Sequence, residues 1–141
     1  MFFGEFEYKL DEKGRLPLPP RFRDHLKGGV VLTPGIEKCI IAYPVLEWKK
    51  LAESLTSGSV TRSKLRRLSR AIFATAFHLM IDGQGRISLP APLREYTEIT
   101  DEVVVTGANS YLELWNRTNW AEEKATFQQQ AWQIIESLER D

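Results

Sequence analysis

Asp11-Glu12-Lys13-Gly14-Arg15-Leu16-Pro17-Leu18-Pro19 reappears 71 positions later as Asp82-Gly83-Gln84-Gly85-Arg86-Ile87-Ser88-Leu89-Pro90. The two stretches share Asp, Gly, Arg, an apolar residue, Leu and Pro at matching positions. The correspondence continues, because Phe22-Arg23 answers Leu93-Arg94 at the same offset. An internal repeat of this kind indicates one structural unit that is used twice.

Later stretches of the two copies also correspond, at slightly larger offsets. Val30-Val31-Leu32-Thr33 matches Val103-Val104-Val105-Thr106 at an offset of 73, and residues 39–43 match residues 111–115 at an offset of 72. The changes in offset indicate loop insertions of one or two residues. Because 141 residues are enough for one ordinary core, we expect two halves that share it rather than two independent domains.

Each copy predicts about four short strands and a closing helix. Residues 5–10 alternate between apolar and polar side chains, as a half-buried strand does. Such short strands cannot form a stable sheet alone, so we expect the two copies to interleave their hairpins in one pseudo-symmetric barrel or sandwich of the α+β class. Helical segments are predicted at residues 20–26, after Pro44, from Thr61 to about Ala76, and from Asn119 onward.

This pattern divides the chain into four segments. They are a first repeat at 1–56, a connecting basic helix at 57–76, a second repeat at 77–120 and a C-terminal helix at 121–141.

Charge is distributed unevenly, although the formal net charge is zero. Residues 1–94 contain 16 Lys and Arg against 9 Asp and Glu, whereas residues 95–141 contain 3 against 10. Binding responds to the local field, so a basic working surface with an acidic C-terminal segment fits a polyanionic partner. The alternative is that the acidic and basic segments pair with each other.

The sequence contains few groups that could perform chemistry. Cys39 is the single cysteine, so neither an intrachain disulfide nor a thiolate metal site from one chain is expected. His25 and His78 are isolated, and no phosphate loop or dinucleotide fingerprint is present. Asp11 and Asp82 could form the carboxylate pair of a hydrolase, but an adjacent arginine lowers the pKa of each and makes it a poor general acid. We therefore expect neither an enzyme nor a cofactor or metal.

We expect a soluble protein of the reducing cytoplasm. The N-terminus lacks the features of a signal peptide, and no stretch approaches the ~20 apolar residues of a membrane span.

The repeated motif has a clear physical interpretation. Gly14 and Gly85 stand where a turn requires positive φ, and Asp11 and Asp82 can accept backbone N–H groups of that turn or pair with the arginine. An arginine on such a rigid loop suits phosphate oxygens or a guanine edge. The alternative is an ion pair that only locks each hairpin. Further basic residues lie near the motifs, as a phosphate backbone requires: Lys9, Lys13, Arg21, Arg23 and Arg94.

The chain resembles the MraZ family, bacterial proteins with two tandem AbrB-like swapped-hairpin domains and two D-x-x-x-R motifs. The residues that carry the resemblance are Gly4, Asp11 to Arg15, Pro19, Phe22-Arg23, Asp82 to Ile87, Leu89-Pro90 and Leu93-Arg94. The resemblance implies a double-split, pseudo-twofold β-barrel of two interleaved AbrB-like repeats with peripheral helices.

The resemblance also implies a function. It indicates a nucleoid-associated transcriptional regulator that binds short direct repeats in double-stranded promoter DNA as a ring-shaped homo-oligomer. The implied targets are its own promoter, which we expect it to repress, and the adjacent cell-division and cell-wall genes. We expect Arg15 and Arg86 to lead in DNA binding, Lys13, Arg21, Arg23 and Arg94 to assist, and the loop residues Asp11, Asp82, Gly14 and Gly85 to orient them.

The two copies are predicted to be unequal on DNA, because Lys13 is replaced by Gln84 and Arg21 by Pro92. The basic residues of 62–70 could form a second DNA surface or a solvated face, and the C-terminal helix could cap the core or contact another subunit. The main alternative function is an antitoxin-like protein-interaction module without DNA specificity.

Overall fold

The strands of the computed structural model, which describes residues 1–58 and 61–139, follow the alternating and apolar stretches of the sequence. Ser59, Val60, Arg140 and Asp141, which belong to the predicted segments 57–76 and 121–141, lie outside the described residues. Within the described part, the strands are β1 (Glu5–Lys9), β2 (Arg15–Pro17), β3 (Val30–Pro34), β4 (Ile40–Pro44), β5 (Phe77–Leu79), β6 (Arg86–Ser88), β7 (Glu102–Gly107) and β8 (Leu112–Asn116).

The strand order shows how the two copies combine. Six strands form an antiparallel sheet in the order β1-β7-β8-β4-β3-β5, and β2 pairs with β6 in a separate ribbon. Replacing every strand by its counterpart in the other copy returns the same order reversed, so a pseudo-twofold axis passes between β4 and β8. β1 pairs with β7 and β3 with β5, each across the two repeats. The predicted interleaving and the α+β class are confirmed, and closure of the sheet into a barrel stays a prediction.

Helices flank the sheet. Helix α1 is followed by a 3-10 turn at Asp24–Leu26, and α3 by a π-helical turn at Ser69–Phe73. None of the helices within the described residues is long and apolar enough to cross a membrane. The helices are α1 (Pro20–Arg23), α2 (Val45–Thr56), α3 (Arg62–Leu68), α4 (Ala91–Thr97) and α5 (Arg117–Glu139).

Two helix starts test the sequence signals. The Thr61 side chain accepts a hydrogen bond from the backbone N–H of Lys64 at 3.3 Å, as the predicted cap requires. The predicted start of the last helix at Asn119 is wrong, because α5 begins at Arg117. The side chain of Asn116, at the end of β8, accepts from the backbone N–H of Asn119 at 3.0 Å and therefore supplies the cap.

The main core lies between the β2–β6 ribbon and one face of the sheet. Leu16 faces Ile87 across the ribbon, and both are buried together with Leu18 and Leu89. The sheet contributes alternate residues of its strands, as a period of two requires: Val30, Leu32, Ile40, Ala42, Val103, Val105, Leu112 and Leu114. The ribbon covers this core and also joins the two repeated motifs. Burial of the core residues therefore holds the two motifs next to each other.

The other face of the sheet is also covered. Helix α5 packs on β7 and β8, and α2 packs on β3 and β4. Trp115 of β8 is buried against Trp120 of α5, with the ring centroids 5.5 Å apart. Coverage of both faces explains why β3 and β7 are apolar along most of their length instead of alternating.

Candidate nucleic-acid interface

The first Asp-x-x-x-Arg loop is closed by the side chain of Asp11. One carboxylate oxygen of Asp11 accepts from the backbone N–H groups of Lys13 and Arg15, each at 2.9 Å. The other oxygen accepts from Nε of Arg15 at 2.6 Å. Gly14 has a φ of +75°, the left-handed conformation that glycine adopts without steric cost. The loop is therefore held by its own backbone and by an ion pair at once.

The second loop repeats this geometry. Asp82 accepts from the backbone N–H groups of Gln84 and Arg86 at 2.9 Å and from Nε of Arg86 at 3.0 Å. Gly85 has a φ of +77°. The side chains of Arg15 and Arg86 are ion-paired and still 31% and 22% exposed, so the two interpretations of the motif do not exclude each other.

These hydrogen bonds stabilise the ionised form of the two carboxylates. Donation from the backbone N–H of Arg15 is the main reason that the pKa of Asp11 lies below its ordinary value, and Arg86 lowers the pKa of Asp82 in the same way. Both carboxylates are therefore ionised at neutral pH. A carboxyl group with a lowered pKa is rarely protonated at neutral pH, so it is a poor general acid.

The β2–β6 ribbon places the loops side by side. The backbone N–H of Leu18 donates to the carbonyl of Gly85 at 3.0 Å, and the N–H of Leu89 donates to the carbonyl of Gly14 at 3.0 Å. Each loop is therefore fixed by the chain of the other repeat. The two loops form one surface rather than two separate sites.

The side chains of Arg23 and Arg94 each reach from their own repeat to the loop of the other repeat. Nε of Arg23 donates to the carbonyl of Leu18 at 3.0 Å, and Nε of Arg94 donates to the carbonyl of Leu89 at 3.1 Å. The Arg23 guanidinium packs directly against Gly85, since its Cζ lies 2.1 Å from the point where a Cβ of Gly85 would be. Arg94 approaches Gly14 less closely, with Nη1 3.3 Å from the equivalent point. Each of these arginines therefore sits at the loop of the other copy, a pairing that sequence reasoning missed.

Arg15, Arg23, Arg86 and Arg94 together form what we call the four-arginine surface. Within residues 1–58 and 61–139, the hydrogen bonds of these four side chains use Nε. Nε fixes the orientation of each guanidinium, and, apart from Nη1 of Arg86 near Asp11, no terminal nitrogen of these four arginines belongs to an ion pair among the described residues. Terminal N–H groups are suited to phosphate oxygens and to the O6 and N7 edge of guanine.

The four-arginine surface is not fully symmetric. Asp11 Oδ2 lies 3.6 Å from Nη1 of Arg86 in addition to its bond with Arg15, so the first aspartate joins both loops. Among the described residues, no equivalent ion pair joins Asp82 to Arg15. Lys13 adds an exposed cation to the first loop, where the second loop has the neutral Gln84.

Arg21 is placed differently from the other predicted DNA-binding residues. Its guanidinium carbon lies 4.8 Å from the ring centroid of Phe6, 5.2 Å from that of Phe3 and 5.6 Å from that of Phe22. These are cation–π distances. The structure thus holds Arg21 on an aromatic cluster, and Gly14 and Gly85 have Arg94 and Arg23 as their arginine neighbours.

Among the described residues, no acidic side chain of residues 95–139 forms an ion pair with a basic side chain of residues 1–94. Within the described residues, the ion pairs between the two segments run in the opposite sense, from Glu5 to Lys124 at 2.9 Å and from Glu7 to Arg117 at 3.9 Å. The positive charges of Arg15 and Arg86 are instead partly offset by the aspartates of the two loops. Trp120 also donates to Glu5 at 2.8 Å, a link across 115 positions that no local sequence signal indicates.

The single cysteine and the two histidines contact neighbouring groups of the fold. Cys39 is buried, and burial is the main cause that raises the pKa of its thiol to about 12. A ring nitrogen of His78 lies 3.1 Å from the carbonyl of Gly28, and His25 stacks edgewise on Phe2. In the part of the chain that the structure describes, no three His, Cys, Asp or Glu side chains converge as metal ligands would.

Comparison with known proteins supports the same organisation. A family model described as "MraZ protein, putative antitoxin-like" matches residues 1–71 and again residues 72–138. A "Transcriptional regulator MraZ" of Dehalococcoides mccartyi is 62% identical over 140 residues, which cover 99% of each chain. Proteins of the same name from Frankia alni and Herpetosiphon aurantiacus are 46% and 44% identical over 120 residues, 85% of this chain and 84% of theirs. The resemblance inferred from the repeated motif is confirmed.

Proposed function

The chain belongs to the MraZ family, and we propose that it is a sequence-specific, DNA-binding transcriptional regulator. The relatives are named as transcriptional regulators, which supports the regulatory role. The observation that carries DNA binding is the four-arginine surface, in which each guanidinium is anchored through Nε and each repeat supplies two arginines. It is not an enzyme in this proposal, and it uses no cofactor or metal.

Each group has a distinct role in the proposed complex. Arg15 and Arg86, at the loops, contact base edges or phosphates, and Arg23 and Arg94 add phosphate contacts beside them. Asp11 and Asp82 hold the loops, with Gly14 and Gly85 supplying the turn. Because the guanidinium groups are already fixed in the free protein, little side-chain entropy is lost on binding.

Two further cations assist. The Lys13 side chain is exposed on the first loop, and the Arg21 guanidinium is held near α1 by the aromatic cluster. Both add positive potential for a phosphate backbone, which attracts DNA from a distance and releases counterions on contact. Since the second copy has Gln84 and Pro92 at these positions, the first copy contributes more of the sequence-independent affinity.

For the location, the target genes and the oligomeric form, our proposal adopts what the family resemblance implies. We propose that the protein acts in the cytoplasm on the nucleoid, represses its own promoter and regulates the adjacent cell-division and cell-wall genes. It does so as a ring-shaped homo-oligomer on short direct repeats. One four-arginine surface is modest, but several in one ring raise the affinity through effective concentration.

A second candidate function is an antitoxin-like protein-interaction module. The wording of the family description, which includes "antitoxin-like", favours this candidate. It requires no preference among DNA sequences. The two functions therefore differ in one measurable property, the ratio of affinities for a direct-repeat fragment and for a shuffled fragment.

The test is a titration of both fragments by fluorescence anisotropy, with wild type and with Arg15→Ala and Arg86→Ala. Because one bidentate arginine–base contact contributes about 1–3 kcal/mol, we expect each substitution to weaken direct-repeat binding about 5- to 150-fold. The matched control is Arg117→Ala, which removes an ion-paired arginine on the α5 side of the sheet and should leave affinity unchanged. Circular dichroism shows whether each variant is folded.

Two outcomes would contradict the proposal. One is full retention of binding in both arginine variants, which would remove the four-arginine surface from the interface. The other is equal affinity of the wild type for direct-repeat and shuffled fragments, which would favour the protein-interaction module.

A further inference from the structure

The β2–β6 ribbon presents one of its faces to solvent. Leu16 and Ile87 are buried in the core, and successive residues of a strand point to opposite faces, so the residues on either side of them lie on the outer face. None of these flanking residues is buried. They are Arg15 and Pro17 of β2 and Arg86 and Ser88 of β6.

Pairing across the ribbon places a residue of one repeat beside the arginine of the other. Arg15 is opposite Ser88, and Arg86 is opposite Pro17. Directly opposite residues of an antiparallel pair have Cβ atoms about 4.5–5.5 Å apart, so each pair presents one contact surface. Ser88 is the counterpart of Pro17 in the internal repeat. The pseudo-twofold axis therefore relates two unlike pairs.

The loop residues increase the difference between the two ends of the ribbon. Lys13 and Gln84 have equivalent backbone positions, because each donates its N–H to Oδ1 of the loop aspartate at 2.9 Å. Both side chains are exposed. We call the end with Lys13, Arg15 and Ser88 the lysine end, and the end with Gln84, Arg86 and Pro17 the glutamine end.

The glutamine end has the groups that recognise an A·T base pair. The major groove of B-DNA admits a two-stranded ribbon, and adenine presents N7 and its N6 amino group there, which one glutamine amide binds through two hydrogen bonds. Thymine presents a C5-methyl group, which packs on an apolar side chain. Gln84 supplies the amide, and the ring of Pro17 supplies the apolar surface.

The lysine end has neither of these groups. Lys13 is a flexible cation, which suits phosphate oxygens and the acceptor edge of guanine. The hydroxyl of Ser88 can donate or accept, so it does not distinguish one base pair from another. The two ends therefore differ in the base pairs they prefer, although their loops have the same backbone hydrogen bonds.

We propose that Gln84 is a specificity-determining residue that binds the adenine of an A·T pair, while Pro17 packs on the methyl group of the paired thymine. Because the lysine end has no such preference, the bound element is not its own reverse complement, and the protein binds it in one orientation. A direct repeat keeps that orientation from one element to the next. The inference rests on the proposed DNA-binding function and assigns a base pair to one end of the four-arginine surface.

The test selects bound fragments from a pool of random duplex DNA. We expect the wild type to enrich an element with a preferred A·T pair at one end, and Gln84→Ala to lose the preference at that base pair alone. Anisotropy titrations then compare this element with the same element in which G·C replaces the A·T pair. We expect Gln84→Ala to reduce the ratio of the two affinities about 5- to 150-fold, the discrimination of one bidentate contact.

Two variants at Lys13 separate base recognition from charge. Lys13→Ala should lower the affinity for all fragments alike and leave the enriched element unchanged. Lys13→Gln should add a second preferred A·T pair, related to the first by the pseudo-twofold axis, because positions 13 and 84 have equivalent backbones. The matched control is Gln128→Ala, which removes an exposed glutamine from α5 and should leave the enriched element unchanged.

The outcomes separate this inference from the proposed function. An enriched element that depends on Arg15 and Arg86 but keeps its A·T preference in Gln84→Ala would overturn the inference and leave the regulator in place. An element identical to its own reverse complement would do the same. Enrichment of no element by the wild type would contradict the sequence-specific regulator and the inference together.

Discussion

The guanidinium of Arg23 occupies the space beside Gly85 that a side chain would need, with Cζ 2.1 Å from the ideal Cβ position. Arg23 belongs to the first repeat and Gly85 to the second. Glycine is therefore required at position 85 for two reasons, the backbone φ of +77° and the arginine that packs on it. The turn glycine and the arginine behind it have to be considered as one unit that spans both repeats.

We predict that Gly85→Ala weakens DNA binding more than Gly14→Ala does. Both substitutions force a left-handed alanine, which costs roughly 1–2 kcal/mol of folding free energy. Gly85→Ala also displaces Arg23, whereas Gly14→Ala meets Arg94 at 3.3 Å and needs only a small shift. Urea unfolding and anisotropy titrations measure the two effects. Gly83→Ala is the control, since a Cβ there meets nothing within 4 Å; equal effects of the Gly14 and Gly85 variants would contradict the prediction.

We predict that Gln84→Lys increases DNA affinity at low salt. The substitution gives the second loop the cation that Lys13 gives the first, and each added phosphate contact steepens the slope of log affinity against log salt by about 0.9. Lys13→Gln should change the slope by a similar amount in the opposite direction. Anisotropy titrations across a salt series measure both. An unchanged slope in Gln84→Lys would show that the second loop does not reach the phosphate backbone.

We predict that the two loop aspartates contribute to the loss of stability in acid. Their folded pKa values lie below the ordinary 3.8, so their stabilisation is present above that pH and is lost as the pH falls through the lowered values. Asp11→Asn/Asp82→Asn should therefore be less stable at neutral pH, with a shallower decline of Tm below about pH 4. Thermal unfolding followed by circular dichroism measures this.

The matched control for the acid experiment is Glu12→Gln, which removes an exposed carboxylate next to Asp11. Its Tm should follow that of the wild type across the pH series. If the double asparagine variant also followed the wild type, the hydrogen bonds from Arg15 and Arg86 would contribute no measurable stability.

We predict that Cys39 is unreactive in the folded protein. The thiol is buried, and burial together with the negative charge of Glu113 raises its pKa to about 12, so almost no thiolate is present near neutral pH. A disulfide reagent should leave the native protein unlabelled and label one thiol per chain in urea, since Cys39 is the single cysteine. Rapid labelling of the native protein would show that the turn between β3 and β4 opens.

Local features of the loops and strands could be predicted because each depends on neighbouring residues. Alternation predicted β1, and the glycine in each motif predicted the left-handed turn found at Gly14 and Gly85. The start of α5 was misplaced because Asn116 and Asn119 are both capable caps, and only the end of β8 decides between them. Local chemistry thus predicts the type of an element better than its boundary.

The four-arginine surface required the tertiary structure. Arg23 and Arg94 stand beside their own motifs in the sequence, yet each packs at the loop of the other copy because the ribbon crosses the repeats. The position of Arg21 depends on Phe3, Phe6 and Phe22, whose rings converge only after folding. No period or spacing in the sequence encodes these contacts.

The sequence by itself determined that one unit is used twice, that each copy closes an Asp-Gly-Arg turn, and which residues are apolar enough for the core. These properties follow from φ preferences, hydrogen bonds over four positions and burial patterns, all of which act locally. Only the tertiary structure decided that β1 pairs with β7, that β2 pairs with β6, and that the two loops share one surface. Those pairings depend on which distant strands bury each other's side chains. That depends on how all the core residues pack together and not on any single stretch of sequence.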